Sequence, residues 1–493
     1  MNLSLLIIVP VFVSLAILLC RDAKQVRVVA LLGAAVQLGL ALALFFAYRA
    51  EREAGNTAQM LFMYKTPWFA PLHINYSVGV DGISVAMIML TASVVLAGVL
   101  VSWSVDTLTK EFFFLLLLLS SGAYGFFISL DLFTLFFFLE LAVIPKYLLI
   151  GIWGSGNKEY SATKLALMLM GGSALVFVGI LGIYFEAGTF DIIELSQNQL
   201  SVATQHFFFP FLFIGFGIFG ALFPFHTWVP DGHSSAPTAA SMFLAGISMK
   251  LGGYGCLRVA TYLMPQAAHE YQGIIILLAA IAILYGSFAT MMQTDLKYIN
   301  AYSSVSHCGF VLLGIGMLTK TAITGAVMQM VSHGLMTALF FAAIGMLYNR
   351  THTRAVEKMG GLLKITPFIG TVFFIAGLCS LGLPGFSGFA AEMTVFMGSW
   401  QNNDMWYRLA TIAACASIVV TAVYILRALG KVMMGPLLDE HHADITDAGW
   451  NEKLAAIILI AGVVLVGVAP LLLQHLISPA ADSIMHNIAK AGF

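Results

Sequence analysis

The sequence predicts an all-α polytopic membrane protein of about fourteen transmembrane helices, two of them broken, and three observations carry that reading. Of its 493 residues 60% are hydrophobic and only 10% charged, with a mean hydropathy of +0.93. Soluble domains carry roughly 25% charged residues, so this composition cannot cover a water-facing surface. The apolar runs are long enough to cross ~30 Å of hydrocarbon as helices, and they lack the period-two alternation of a lipid-facing barrel strand. Two runs are interrupted in a similar way, at Phe223-Pro-Phe-His-Thr-Trp-Val-Pro-Asp231 and at Leu381-Gly-Leu-Pro-Gly-Phe-Ser-Gly388. Pro removes a backbone donor and Gly loosens the helix, and such backbone survives at membrane depth only where protein or water surrounds it. Matching interruptions in two halves point to an internal repeat and to an ion path.

In chain order the spans begin near Leu3, Arg27, Asp81, Phe112, Leu132, Leu165, His206, Thr238, Gly273, Ala301, Ile323, Pro367, Leu409 and Leu454. The first run, Leu3 to Cys20, lacks a charged leading segment and a small-residue cleavage site, so it reads as a retained helix. The last ends near Ser478 and leaves a short tail. With the N-terminus outside, thirteen Lys and Arg residues fall inside and six outside, which places both termini away from the cytoplasm. Lys146, Lys250, Arg258 and Arg427 fall within apolar runs or close to their ends. Lys+Arg 23 against Asp+Glu 24 gives no basic field for nucleic acid. Cys20, Cys256, Cys308, Cys379 and Cys415 lack metal-ligand spacing, so no metal site, cluster, disulfide framework or bound cofactor is expected.

Ionisable residues inside the apolar runs carry the chemistry. Glu140, in Phe133-Thr-Leu-Phe-Phe-Phe-Leu-Glu-Leu-Ala-Val-Ile-Pro145, costs at least ~2.5 kcal/mol to insert, so it is paired, protonated or wetted. A proton site is its natural use. Lys250, between Ser248 and Gly252-Gly253, poses the same problem with opposite charge, and burial makes it a candidate for proton exchange. Lys297 reads first as an interfacial cation beside Asp295. His307 and His333, each beside Ser and Gly in successive runs, suit a hydrated relay, since imidazole titrates near neutrality. His226, between Pro224 and Pro230, either relays protons or bonds carbonyls freed by the broken helix. Glu392, after the second interruption, reads as an exit group.

From about Gly79 to Met434 the chain resembles the antiporter-like M (ND4-type) subunits of respiratory complex I. The resemblance lies in Leu139-Glu140 through Pro145, Pro224-Phe-His-Thr-Trp-Val-Pro-Asp-Gly-His-Ser-Ser-Ala-Pro-Thr238, Lys250-Leu-Gly-Gly-Tyr-Gly255, Gln293-Thr-Asp-Leu-Lys297 through His307, and Arg350-Thr-His-Thr-Arg354. It implies two inverted five-helix repeats, spans four to eight (111–264) and nine to thirteen (265–435), with spans seven and twelve broken. Residues 1–110 then hold the first three spans and 436–493 the last span and tail. It implies Glu140 and Lys250 in a first half-channel, His307 and His333 on a hydrated axis, Glu392 in the second half and Lys297 as a further carry-over. NADH, FMN, iron-sulfur clusters and quinone would belong to partner subunits, the neighbours being L-type and N-type subunits in a bacterial plasma membrane.

One family feature is absent. Relatives carry a lysine on span seven, five residues before the Pro of Pro-x-His-x-Trp, where this chain has Phe219; it has Lys146 after Pro145 instead. Lys146 lies six residues from Glu140, about 9 Å of rise and about 240° of rotation on an ideal helix. With a kink at Pro145 its amine is expected beside Phe219, within direct or water-bridged range of Glu140. The competing reading from the same superfamily is a multisubunit cation/proton antiporter subunit, against which Glu392 stands where such subunits carry lysine. A silent membrane anchor would have no use for the insertion cost of these groups.

Overall fold

Hydropathy sets the element boundaries in the computed structural model, which describes residues 1–490 and Gly492. The chain opens with α1 (Leu5–Leu19) and α2 (Ala23–Glu53), the latter started by Asp22, whose side chain accepts from Gln25 N. An antiparallel hairpin follows, β1 (Leu61–Phe69) with β2 (Ile74–Val80), which corrects the all-helical expectation. Asp81 then caps α3 (Gly82–Val101), leading to α4 (Thr109–Ile128). The fifth span is split into α5 (Leu132–Leu141) and α6 (Val143–Trp153) at Ala142, because Pro145 has no N–H for the carbonyl of Leu141.

The chain continues through α7 (Lys158–Ala187), the short α8 (Ile192–Gln197), α9 (Val202–Phe219) and α10 (Trp228–Ser235). The first interruption therefore spans residues 220–227, earlier than expected, and Pro230 and Asp231 lie inside helical α10. Next come α11 (Thr238–Phe243) and α12 (Met249–Gly255), joined into one rod with π-helical segments at Leu244–Ser248 and Cys256–Thr261. After α13 (Pro265–Glu270) come α14 (Gln272–Met291), α15 (Leu296–Gly316), α16 (Lys320–Thr351), α17 (Pro367–Ser380), α18 (Ser387–Trp400) and α19 (Met405–Met433). Residues 381–386 form the second interruption.

The expected final run is two helices, α20 (Trp450–Val468) and α21 (Pro470–Lys490), since Pro470 starts a new helix. Ten helices among the described residues are long and apolar enough to cross a membrane, and Leu5–Leu19 and Pro367–Ser380 are shorter apolar helices. The most enclosed is α16, all of whose apolar window is buried inside the protein. It is the axis against which α3, α15, α17, α18 and α20 pack.

Candidate functional site

Each interruption brings loosened backbone against an ionisable side chain. At the first, Phe219 ends α9 and its ring lies under the Lys146 amine, 5.9 Å from nitrogen to ring centre. Lys146 is 1% exposed, and among the described residues its Nζ has no hydrogen-bond partner. Glu140 on α5 is half-buried, with an enclosed Oε1 likewise unpartnered among the described residues. Gly252 makes the neighbouring contact possible, since a Cβ there would lie 2.2 Å from Gly220 N and 2.5 Å from Phe216 O. A cavity of about 10 Å³ beside Lys250, bounded by Gly220, Gly253, Cys308 and Met330, is about the size of one water.

Lys250 is fully enclosed, and its Nζ reaches Ala245 O at 2.5 Å and His333 Nδ1 at 2.7 Å. The π-helical segment just before it shifts the i→i−4 ladder, which turns the side chain towards α16. An ammonium donating to Nδ1 requires that nitrogen to carry no proton, so charge on Lys250 and charge on His333 exclude each other through this bond. The His333 ring stacks on His307, with centres 5.3 Å apart and planes 26° from parallel. His307 Nε2 meets Ser380 Oγ at 3.1 Å, and its Nδ1 lies 3.2 Å from Gln329 Nε2 and 3.3 Å from Glu392 Oε1. Those two partners ask for opposite states: the amide must donate to a bare nitrogen, whereas the carboxylate accepts from a protonated one.

Glu392 is 5% exposed and sits against the second interruption. Gly382 there has φ +77°, a backbone conformation that favours glycine, and a Cβ would meet Glu392 Oε2 at 2.8 Å, so any side chain would also displace the carboxylate. The structure thus links Lys250, His333, His307 and Glu392 through successive contacts, with Lys146 and Glu140 at the far side of the first interruption.

Lys297 corrects its interfacial reading. It is 4% exposed and donates to Ala236 O at 2.6 Å, while Asp295 pairs with Arg354 at 3.2 Å. Arg354 also donates to Ser234 O at 2.6 Å, so two cations hold the carbonyl end of α10, where the helix dipole favours positive charge. His226 stacks on Phe223 at 5.4 Å and meets Tyr285 edge-on at 4.9 Å. Among the described residues no hydrogen bond joins it to the other candidates.

The sequence profile described as NADH:quinone oxidoreductase/Mrp antiporter, TM, matches residues 129–420, a stretch that contains every group above. The chain belongs to the NADH:quinone oxidoreductase/Mrp antiporter transmembrane family. Within that family, NAD(P)H-quinone oxidoreductase chain 4 2 of Microcystis aeruginosa is 36% identical over 457 residues, 92% of this chain and 82% of the relative. NADH-quinone oxidoreductase subunit M of Rickettsia bellii is 36% identical over 412 residues, 83% of each chain. A chain in the structure of respiratory complex I from Thermus thermophilus with bound NADH superposes with a TM-score of 0.90 at 25% identity, covering 99% of both.

Two features of this family member were not singled out from sequence. His233 is fully enclosed on α10, stacked on Phe341 at 5.4 Å, with neither ring nitrogen partnered among the described residues. Its signal was present, a histidine inside the Pro-rich motif after the interruption. Arg258 on the second π-helical segment forms a buried ion pair with Asp81, and Tyr254 below it meets Ser84 Oγ at 3.0 Å. Asp81 reads from sequence only as the start of a span, and its partner is 177 residues away.

Proposed function

We propose that this chain is a proton-translocating membrane-arm subunit of an NADH:quinone oxidoreductase, moving protons along buried Glu, Lys and His groups while electron transfer takes place in partner subunits. The observation that carries the reading is the run of contacts from Lys250, bonded to His333, through the stacked His333 and His307 rings to Glu392, inside a family whose relatives bear the oxidoreductase name. Glu140 and Lys146 load the first half. Lys250 passes the proton to the histidine pair. Glu392 releases it from the second half, and Lys297 and His226 modulate the two ends of α10. In this reading Lys146 supplies the cation that Phe219 does not.

Fourteen spans follow if α5 with α6, α9 with α10, α11 with α12, and α17 with α18 each count as one crossing, and if α8, α13 and α21, none of them among the long apolar helices, count as none. Two inverted repeats, 111–264 and 265–435, are supported by matched caps five crossings apart. Asp131 accepts from Phe133 N and Thr134 N at 3.0 and 3.1 Å and bridges Asp191; Asp295 accepts from Lys297 N and Tyr298 N at 2.8 and 3.4 Å and bridges Ala355. Both termini face outwards across a bacterial plasma membrane, as the distribution of Lys and Arg supports. L-type and N-type subunits are the neighbours, and the redox groups reside in other subunits.

Purifying the chain with its native partners tests the assignment. Co-purifying subunits that oxidise NADH and carry flavin and iron-sulfur clusters are expected. A set of small antiporter subunits without that activity would replace the reading with the cation/proton antiporter one.

A further inference from the structure

Away from the ionisable axis, two cavities adjoin on the face formed by α2, α3, α16, α20 and α21. The first, about 320 Å³, is walled by apolar side chains including Leu42 and Phe46 of α2, Met89 and Leu90 of α3, Leu335 of α16 and Leu465 of α20. The second, about 270 Å³, is lined by Tyr48, Arg49, Arg52, Glu53 and His475. Arg49, Leu472 and Leu476 line both, so one opens beside the other. We infer that this pair of cavities is a binding site for an anionic phospholipid, with an acyl chain in the apolar crevice and the phosphate at Arg49 and Arg52. The inference rests on the chain's placement in a membrane and is independent of the proton path.

Size selects the apolar occupant. The crevice reaches Leu335, 5% exposed on the enclosed α16. An acyl chain is much thinner than a helix, which is ~10 Å wide with its side chains, and can lie along a crevice that reaches between α3 and α16. A void facing lipid gains dispersion contacts when a chain fills it.

Charge selects the headgroup. Arg49 lies one turn before the end of α2, on the outer side where the helix leaves the hydrocarbon, and the planar fork of donors on a guanidinium matches the oxygens of a phosphate. Two arginines face one carboxylate: Arg49 pairs with Glu53 at 2.7 Å, and Arg52 donates to Tyr48 Oη at 3.0 Å and to the carbonyls of Asn56 and Ala58 at 2.9 and 2.8 Å. Those bonds hold Arg52 in place at the rim, and His475 of α21 adds a second face.

The test uses the full chain purified in mild detergent and stripped of lipid, with dioleoyl phosphatidylglycerol or dioleoyl phosphatidylcholine added back and bound lipid counted by native mass spectrometry. Phosphatidylglycerol should be retained at least tenfold better than phosphatidylcholine. Arg49→Glu should remove that preference, and Ser93→Phe, which fills the crevice where Ser93 bonds only its own helix, should cut retention of both lipids at least tenfold. Thermal unfolding in the same detergent checks that each variant is folded, with Arg49→Gln and Ser93→Leu replacing any that is not. Equal retention of the two lipids, full retention by folded Ser93→Phe, or competition by soluble glycerol phosphate would each overturn the inference. So would a cross-link from Ser93→Cys to another subunit.

Discussion

The two interruptions are made from the same ingredients and bond their ionisable groups differently. At the second, Glu392 and His307 are in contact, and His307 has Ser380 and Gln329 as further partners. At the first, Lys146 Nζ and Glu140 Oε1 are enclosed without hydrogen-bond partners among the described residues, and Lys146 has the face of Phe219 instead. Enclosed charges without partners are costly unless water reaches them or they neutralise each other. On the proposed reading the second half works through direct side-chain bonds, and the first through water and the Coulomb interaction between Glu140 and Lys146. In that proposal a proton enters the first half by wetting it and crosses the second by reorienting bonds already made.

The largest effect should come from the first half. Glu140→Gln keeps the shape and removes the charge that offsets Lys146, so proton uptake by the assembled complex should fall by about 10²-fold, at the lower end of what a proton-transfer group contributes, while NADH oxidation persists in part. Uptake in reconstituted vesicles measures it. Glu392→Gln should cost less, about tenfold, because the amide can still bond His307 and preserve the chain of contacts. If Glu392→Gln proves the more damaging change, the contrast between a wetted and a bonded half is wrong.

The buried Arg258–Asp81 pair lies off the axis and sharpens the comparison from outside. Arg258→Leu leaves the Asp81 carboxylate enclosed and should lower stability by about 3–5 kcal/mol, read as thermal unfolding in detergent. Asp81→Asn retains an acceptor for the Ser84 N–H that caps α3 but leaves the enclosed Arg258 guanidinium without a counter-charge, and since that group cannot shed its proton the cost should be of the same size. The smallest effect concerns the hairpin. Lys65 donates to Asp191 at 2.7 Å, and that bond holds its amine above the ordinary lysine range. The sign follows: this contribution is fully present below the unfolded lysine pKa and is lost as pH rises through the folded one. Hairpin protection from proteolysis should hold to about pH 10 and decline above it. Lys65→Met should remove the step at a cost of about 0.2–1 kcal/mol, the range of a half-exposed ion pair.

Hydropathy made the spans legible, and isolated charges within them made Glu140, Lys250, His307, His333 and Glu392 legible. What escaped has physical reasons. The hairpin at 61–80 carries Pro67, and its residues read as the loop between two spans. The run after Leu454 is apolar on both sides of Pro470, so averaging joined α20 to α21. Lys297 looked interfacial because Asp295 is two residues away; the fold instead gives that carboxylate to Arg354 and buries the lysine under α10. The partnership of Asp81 with Arg258 and the π-helical turns around Lys250 depend on packing between distant segments, which no local pattern records.

The central claim is that Lys146 on the fifth span serves as the cation of the first half. Proton uptake per NADH oxidised, measured in vesicles containing the assembled complex, tests it most directly when Lys146→Ala is compared with Lys146→Ala combined with Phe219→Lys. The single change should abolish most uptake, because Glu140 loses its buried counter-charge. The double change restores a cation at the end of α9, in the contact the amine now makes with the Phe219 ring, and should recover part of the uptake. Undiminished uptake in Lys146→Ala, with the complex intact, would contradict the account.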